Sequence, residues 1–153
     1  MMMMEINNLD IHDNLEIILR IIIAFLLGAI IGWERERHGV SAGIRTYGAI
    51  CLGACAFGVV SLSITGADPS RVAAQVATGV GFLGGGVIFR QEKYINGLTT
   101  AATLWATAGV GLAVACGMYT VSILTSSLIF LLLYLPRLSW WKKLSTKRSS
   151  KLD

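Results

Sequence analysis

The sequence predicts an all-α protein: a polytopic membrane bundle of about five transmembrane helices, N-terminus outside and C-terminus inside. Three observations predict it. Hydrophobic residues fill 54% of the 153 positions and charged ones only 14%, with a mean hydropathy of +0.66, the profile of a membrane protein. The apolar residues come in runs close to the roughly 20 residues that cross a bilayer. Within those runs small residues recur every fourth position, a spacing that keeps them on one helix face. In lipid, such faces let helices approach closely.

The expected spans are, in order, Leu15–Trp33, Gly43–Thr65, Arg71–Phe89, Leu98–Gly117 and Tyr119–Leu135. Residues 1–14 are read as an extracytoplasmic segment, 15–135 as the transmembrane domain and 136–153 as a basic cytoplasmic tail. The opening MMMMEINNLDIHDNLE is acidic, whereas a cleavable signal begins with a basic stretch. Orientation follows from basic residues. With the N-terminus outside, Arg35, Arg37, Arg45, Arg90, Lys93 and six tail residues lie inside, Arg71 alone lies outside, and Arg20 falls within the first span. The net charge of +4 is thus explained by topology rather than by nucleic acid. The tail could also meet anionic lipid.

Helix one carries Ala24, Gly28 and Gly32 in its small stripe, helix three Ala73, Ala77, Gly81 and Gly85, and helix four Thr99, Thr103, Thr107, Gly111 and Ala115. These stripes, with Gly84 and Trp105, are the expected packing positions. Helix five is Leu-rich and bulky, so helices one to four are expected to form the core, with five at the edge facing lipid. The loop between helices four and five is very short and implies a tight hairpin.

The stretch Thr78–Trp105 organises the chain. Five glycines fall within the eight residues from Gly79 to Gly86, a load that would weaken a soluble helix by roughly 0.5–1 kcal/mol per glycine. Gly79-Val80-Gly81-Phe82-Leu83-Gly84 also spells G-x-G-x-x-G, but no strand–helix context surrounds it and no Lys-Ser/Thr pair follows. A packing element is the reading, not a nucleotide site. Gly43-Ile44-Arg45-Thr46 and Gly97-Leu98-Thr99-Thr100 hint at a parallel internal repeat on two identities in four positions, thin evidence that chance would also supply.

Few residues could carry chemistry. Arg20 is expected to snorkel or to pair with Glu16, four residues earlier, in preference to Asp68. Asp68 suits a helix N-cap and Pro69 the first helical position. Gln75 is polar inside a span and needs a partner or water. Glu34 with Arg45 is a candidate ion pair bracketing the inner loop, with solvated loop charge as the alternative. Cys51, Cys55 and Cys116 fall in apolar spans and read as small buried residues, since thiols without His or acid neighbours make poor metal sites. Neither His12 nor His38 stands at a spacing that would activate a Ser or Cys. No cofactor is expected. Mg²⁺ requires oxygen ligands, yet no Asp or Glu lies mid-span, and Asp68 and Glu34 fall at opposite faces.

Five ordered motifs then resemble the MgtC/SapB family of bacterial membrane proteins. They are Gly32-Trp33-Glu34-Arg35-Glu36, Gly43-Ile44-Arg45-Thr46, Asp68-Pro69-Ser70-Arg71-Val72-Ala73-Ala74-Gln75, Gly81-Phe82-Leu83-Gly84 and Gly97-Leu98-Thr99-Thr100-Ala101-Ala102-Thr103-Leu104-Trp105. The match covers Leu15 to Met118. The resemblance implies a non-enzymatic inner-membrane protein linked to growth in low magnesium and, in pathogens, to survival inside macrophages. It implies functional polar positions at Glu34, Arg45, Thr46, Asp68, Arg71, Gln75, Thr99 and Thr100. The implied role is regulation of a membrane-protein partner, with conduction of Mg²⁺ or another cation as the alternative; self-association and Mg²⁺ binding stay open. Many relatives add a soluble C-terminal domain. Here 18 residues follow Leu135, so the membrane core is expected to act alone or with a separate partner.

Overall fold

The computed structural model describes residues 11–64, 68–90 and 95–137. Five helices form it: α1 (Ile11–Glu36), α2 (Ile44–Ser63), α3 (Ser70–Val87), α4 (Leu98–Ala115) and α5 (Tyr119–Tyr134), followed by a single 3-10 turn at Leu135–Arg137. Between α3 and α4 the chain forms a two-stranded antiparallel ribbon, β1 (Phe89–Arg90) and β2 (Ile95–Asn96), with Phe89 opposite Asn96 and Arg90 opposite Ile95. The ribbon stands where the sequence suggested the end of a span and a plain loop.

Helices α1, α2 and α4 are long and apolar enough to cross a membrane. The 16 residues of α5 make a helix about 24 Å long, short of a hydrocarbon core of about 30 Å. In α3, Arg71, Gln75 and the glycines dilute an otherwise apolar helix. Three of the five expected spans therefore meet the length and hydropathy of a crossing.

The core lies between α1, α2 and α4, with Ala24, Ile31, Tyr47, Cys51, Cys55, Leu104, Val110 and Val114 packed together. Glycine makes that core possible. A Cβ at Gly28 would lie 2.6 Å from the Tyr47 carbonyl oxygen, and one at Gly32 would lie 2.7 Å from that of Gly43. On α4, a Cβ at Gly111 would overlap the Cys51 carbonyl of α2. These are backbone-to-backbone approaches that only glycine allows, and lipid rewards them with van der Waals contact. Tyr47 meets Thr103 while Gly58 meets Ala115, so α2 and α4 run parallel. Their opening motifs, Gly43-Ile44-Arg45-Thr46 and Gly97-Leu98-Thr99-Thr100, consequently start helices at the same end.

Two turns explain how the chain reverses so tightly. Val40 N–H bonds back to Arg35 O and Gly39 N–H to Glu36 O; Met118 N–H bonds to Ala113 O and Gly117 N–H to Val114 O. Both are Schellman closures, and Gly39 and Gly117 each sit at φ +71°, the left-handed conformation this cap requires. The expected hairpin between α4 and α5 is therefore a three-residue turn.

The edge of the bundle differs from expectation. In α5, Ser122, Ser126, Ile129 and Leu133 are buried, a helical face at i, i+4, i+7 and i+11. In α3, which is two residues longer, only Val80 and Gly84 are buried. The glycine-rich helix is the exposed one, and α5 belongs to the bundle.

Candidate functional site

One end of the bundle holds a buried polar cluster. Glu34 closes α1 at 2% exposure, and Tyr47 of α2 is fully buried, with Thr100, Thr103 and Thr107 of α4 around it. The Thr103 hydroxyl donates to Thr99 O at 2.8 Å, sharing with Thr100 O at 3.0 Å. Its lone pairs are thus left to accept from Tyr47 Oη, 2.6 Å away. Thr107 bonds to Thr103 O at 2.7 Å, and Arg35 Nη2 donates to Thr100 Oγ1 at 3.2 Å. His38 Nδ1 lies 2.6 Å from Glu34 O and 3.6 Å from Glu34 Oε1. This network joins α1, α2 and α4 through side-chain hydrogen bonds at their shared end, as buried hydroxyls require.

The expected positions divide. Glu34 and Thr100 enter the cluster. Arg45 is exposed and Thr46 half-buried; both line a crevice of about 170 Å³ with Glu36, Ser41 and Gly43. The anticipated Glu34–Arg45 bracket does not form among the described residues. The loop is closed instead by Glu36, whose Oε2 accepts Ile44 N–H at 3.0 Å, because Glu34 points into the bundle while Glu36 faces the loop. Thr99 is exposed and contributes its carbonyl. Arg35, Tyr47 and Thr107 were not singled out as polar positions; a tyrosine and an arginine flanking the first inner loop were the available signal.

The opposite end is tied by Arg20. Its guanidinium pairs with Glu16 at 2.6 Å and donates to the Ala115 carbonyl at the last turn of α4, where the helix dipole favours a cation. The Glu16 pairing is the one expected. Asp68 Oδ1 accepts Ser70 N–H at 2.9 Å, and Pro69 already has helical dihedrals, φ −60° and ψ −23°, as expected for a capped start. Hydrogen bonding from Ser70, its hydroxyl first and its N–H second, holds the Asp68 carboxyl below its ordinary range. Arg71 and Gln75 are exposed and line an apolar groove of about 900 Å³ between α2 and α3.

Among the packing positions, Gly28, Gly32, Ala101 against Gly84, and Thr103 meet neighbours. Trp105 is 56% exposed. Gly81 and Gly85 face open space: a Cβ at either would find no atom of another element within 4 Å among the described residues, and the same holds for Gly79 and Gly86. The reason is geometric. A row taken every fourth residue rotates about 40° per step around a helix of 3.6 residues per turn. The row Ala73, Ala77, Gly81, Gly85 therefore starts half-buried and turns outward. Gly81 and Gly85 end beside exposed Ala74 and Thr78, with Phe82 84% exposed nearby. The result is a smooth, small-residue face directed away from the bundle.

The chain matches the MgtC family over residues 21–139. It is 43% identical over 127 residues to YhiD of Escherichia coli (strain K12), whose name carries a provisional magnesium-transporter label; the match takes in 77% of this chain and 59% of that one. It is 46% identical over 101 residues to the MgtC protein of Salmonella typhimurium (strain LT2), covering 66% of this chain and 43% of that one. With the MgtC protein of Brucella abortus (strain 2308) the identity is 44% over 110 residues, 71% of this chain and 45% of the other. The chain spans about half the length of these relatives. No solved structure matches it significantly.

Proposed function

The chain belongs to the MgtC family and is a multi-pass bacterial membrane protein; on that premise we propose that it serves magnesium homeostasis as a non-enzymatic regulator, binding another membrane protein along the open face of α3. The single observation that supports this is the disposition of glycine. Where α1, α2 and α4 meet, glycines at 28, 32 and 111 are consumed by backbone contact, whereas a Cβ at Gly81 or Gly85 would meet no other element among the described residues. Without a hydrophobic effect between helices in lipid, small faces act by admitting another backbone. A small face unused within the chain suits a helix from outside it.

Transport of Mg²⁺ or another cation is the second reading, favoured by the magnesium-transporter label of YhiD and by the buried carboxyl of Glu34. A conducted cation needs oxygens to replace its water. Liposomes holding the purified chain and a Mg²⁺-sensitive dye separate the two. The regulator reading expects no influx. It also expects the Gly81→Leu/Gly85→Leu protein to fold normally while losing its co-purifying membrane protein and its support of growth in low magnesium. Rapid influx abolished by Glu34→Ala would replace regulation with transport.

A further inference from the structure

The groove between α2 and α3 lies on the other side of α3 from Gly81 and Gly85. Its volume of about 900 Å³ is that of a ligand site. Ala49, Gly53 and Phe57 wall it from α2, and Val76, Gly79 and Leu83 from α3. All are apolar. Among the described residues the polar lining is confined to Arg71 and Gln75, four residues apart at the start of α3. Arg71 is exposed and has no ion-pair partner among the described residues; the nearby Asp68 carboxylate is engaged by Ser70 N–H. Arg71 is also the one basic residue that the topology count leaves on its side of the membrane.

A cation and an amide at the mouth, with an apolar trough below, match an amphiphile whose charge is negative. We propose that the groove is a phospholipid site: the phosphate of an anionic glycerophospholipid accepts from Arg71 and Gln75, and an acyl chain lies over Gly53 and Gly79. Basic pockets between transmembrane helices recognise anionic head groups in this way, and the planar guanidinium suits a phosphate. The two glycines widen the trough, since neither would meet an atom within 4 Å if it carried a Cβ. A second helix without an acidic residue at this height would leave the arginine unneutralised.

The full chain, purified in mild detergent and titrated with phosphatidylglycerol or phosphatidylcholine, is measured by native mass spectrometry. One phosphatidylglycerol is expected to be retained, about tenfold more strongly than phosphatidylcholine, from the worth of a charge-assisted hydrogen bond. Arg71→Gln should erase that preference and Arg71→Lys should restore most of it. Gly79→Phe should block retention of either lipid while leaving the melting temperature near that of the native chain. Equal retention of both lipids by the native chain, or unchanged retention in Arg71→Gln, would overturn the proposal. So would a lipid-free dimer that Gly79→Phe dissociates, which would assign the groove to a second copy.

Discussion

The seam between α1 and α2 and the outer face of α3 are built from the same residue types and do opposite things. In the seam, Gly28 and Gly32 are buried and bring carbonyls of α2 to within contact of α1. On α3, Gly81 and Gly85 are exposed, and a Cβ at either would meet no neighbouring element within 4 Å among the described residues. The comparison teaches that a small-residue stripe specifies a capacity for close approach, not the neighbour that uses it. The neighbour is set by where the rest of the chain goes. Here α4 packs against both α2 and α3, with Ala108 and Ala54 meeting Val80 and Ala101 meeting Gly84, and the remaining glycines are left outward.

The sharpest way to break the comparison is to add a methyl group to each side. Gly32→Ala and Gly111→Ala should cost about 1–3 kcal/mol, because a Cβ there meets backbone that cannot yield. Gly81→Ala and Gly85→Ala should be neutral or gain up to about 1 kcal/mol from lost glycine flexibility. Detergent melting curves of the four variants check this, and the opposite order would erase the distinction between the two regions.

A smaller effect tests whether the closed region is also held by its polar cluster. Thr103→Val keeps the shape but leaves the buried Tyr47 hydroxyl without its acceptor, and should cost about 1–3 kcal/mol. Tyr47→Phe removes the donor while Thr103 keeps its carbonyl partners, and should cost about 1 kcal/mol. Equal losses from chemical denaturation would mean that the hydroxyl pair is not the connection between α2 and α4.

Much of this arrangement was legible in the sequence. Composition and run length gave the bundle, and the i, i+4 stripes located the contacts of Gly28 and Gly32. The Asp68-Pro69 pair gave the start of α3, and Glu16 the partner of Arg20. Two things were not legible. The order of enclosure was inverted because stripe content was read as burial, although Ser122 and Ser126 marked a packed face on α5. The polar cluster was only half seen: Glu34 was paired with the loop, whereas the phase of α1 buries it one turn after Ile31 and leaves Glu36 to meet the loop.

The weakest expected effect concerns the start of the open helix. Hydrogen bonds from the Ser70 hydroxyl and N–H lower the Asp68 pKa from its ordinary value of 3.8, so their stabilisation is present above that value and lost as pH falls through the lower folded one. The melting advantage of the native chain over Asp68→Ala should therefore be constant from pH 7 to 5 and narrow below about pH 4. An advantage that grows on acidification would rule out the cap.

The central claim is that the face of α3 left open by the chain is covered by another membrane protein. A photoreactive amino acid placed at Gly81 or Gly85, and for comparison at lipid-facing Leu128 of α5, tests it in native membranes. The prediction is a discrete cross-linked protein band from Gly81 and Gly85, and lipid adducts alone from Leu128. Lipid adducts alone from all three positions would contradict it.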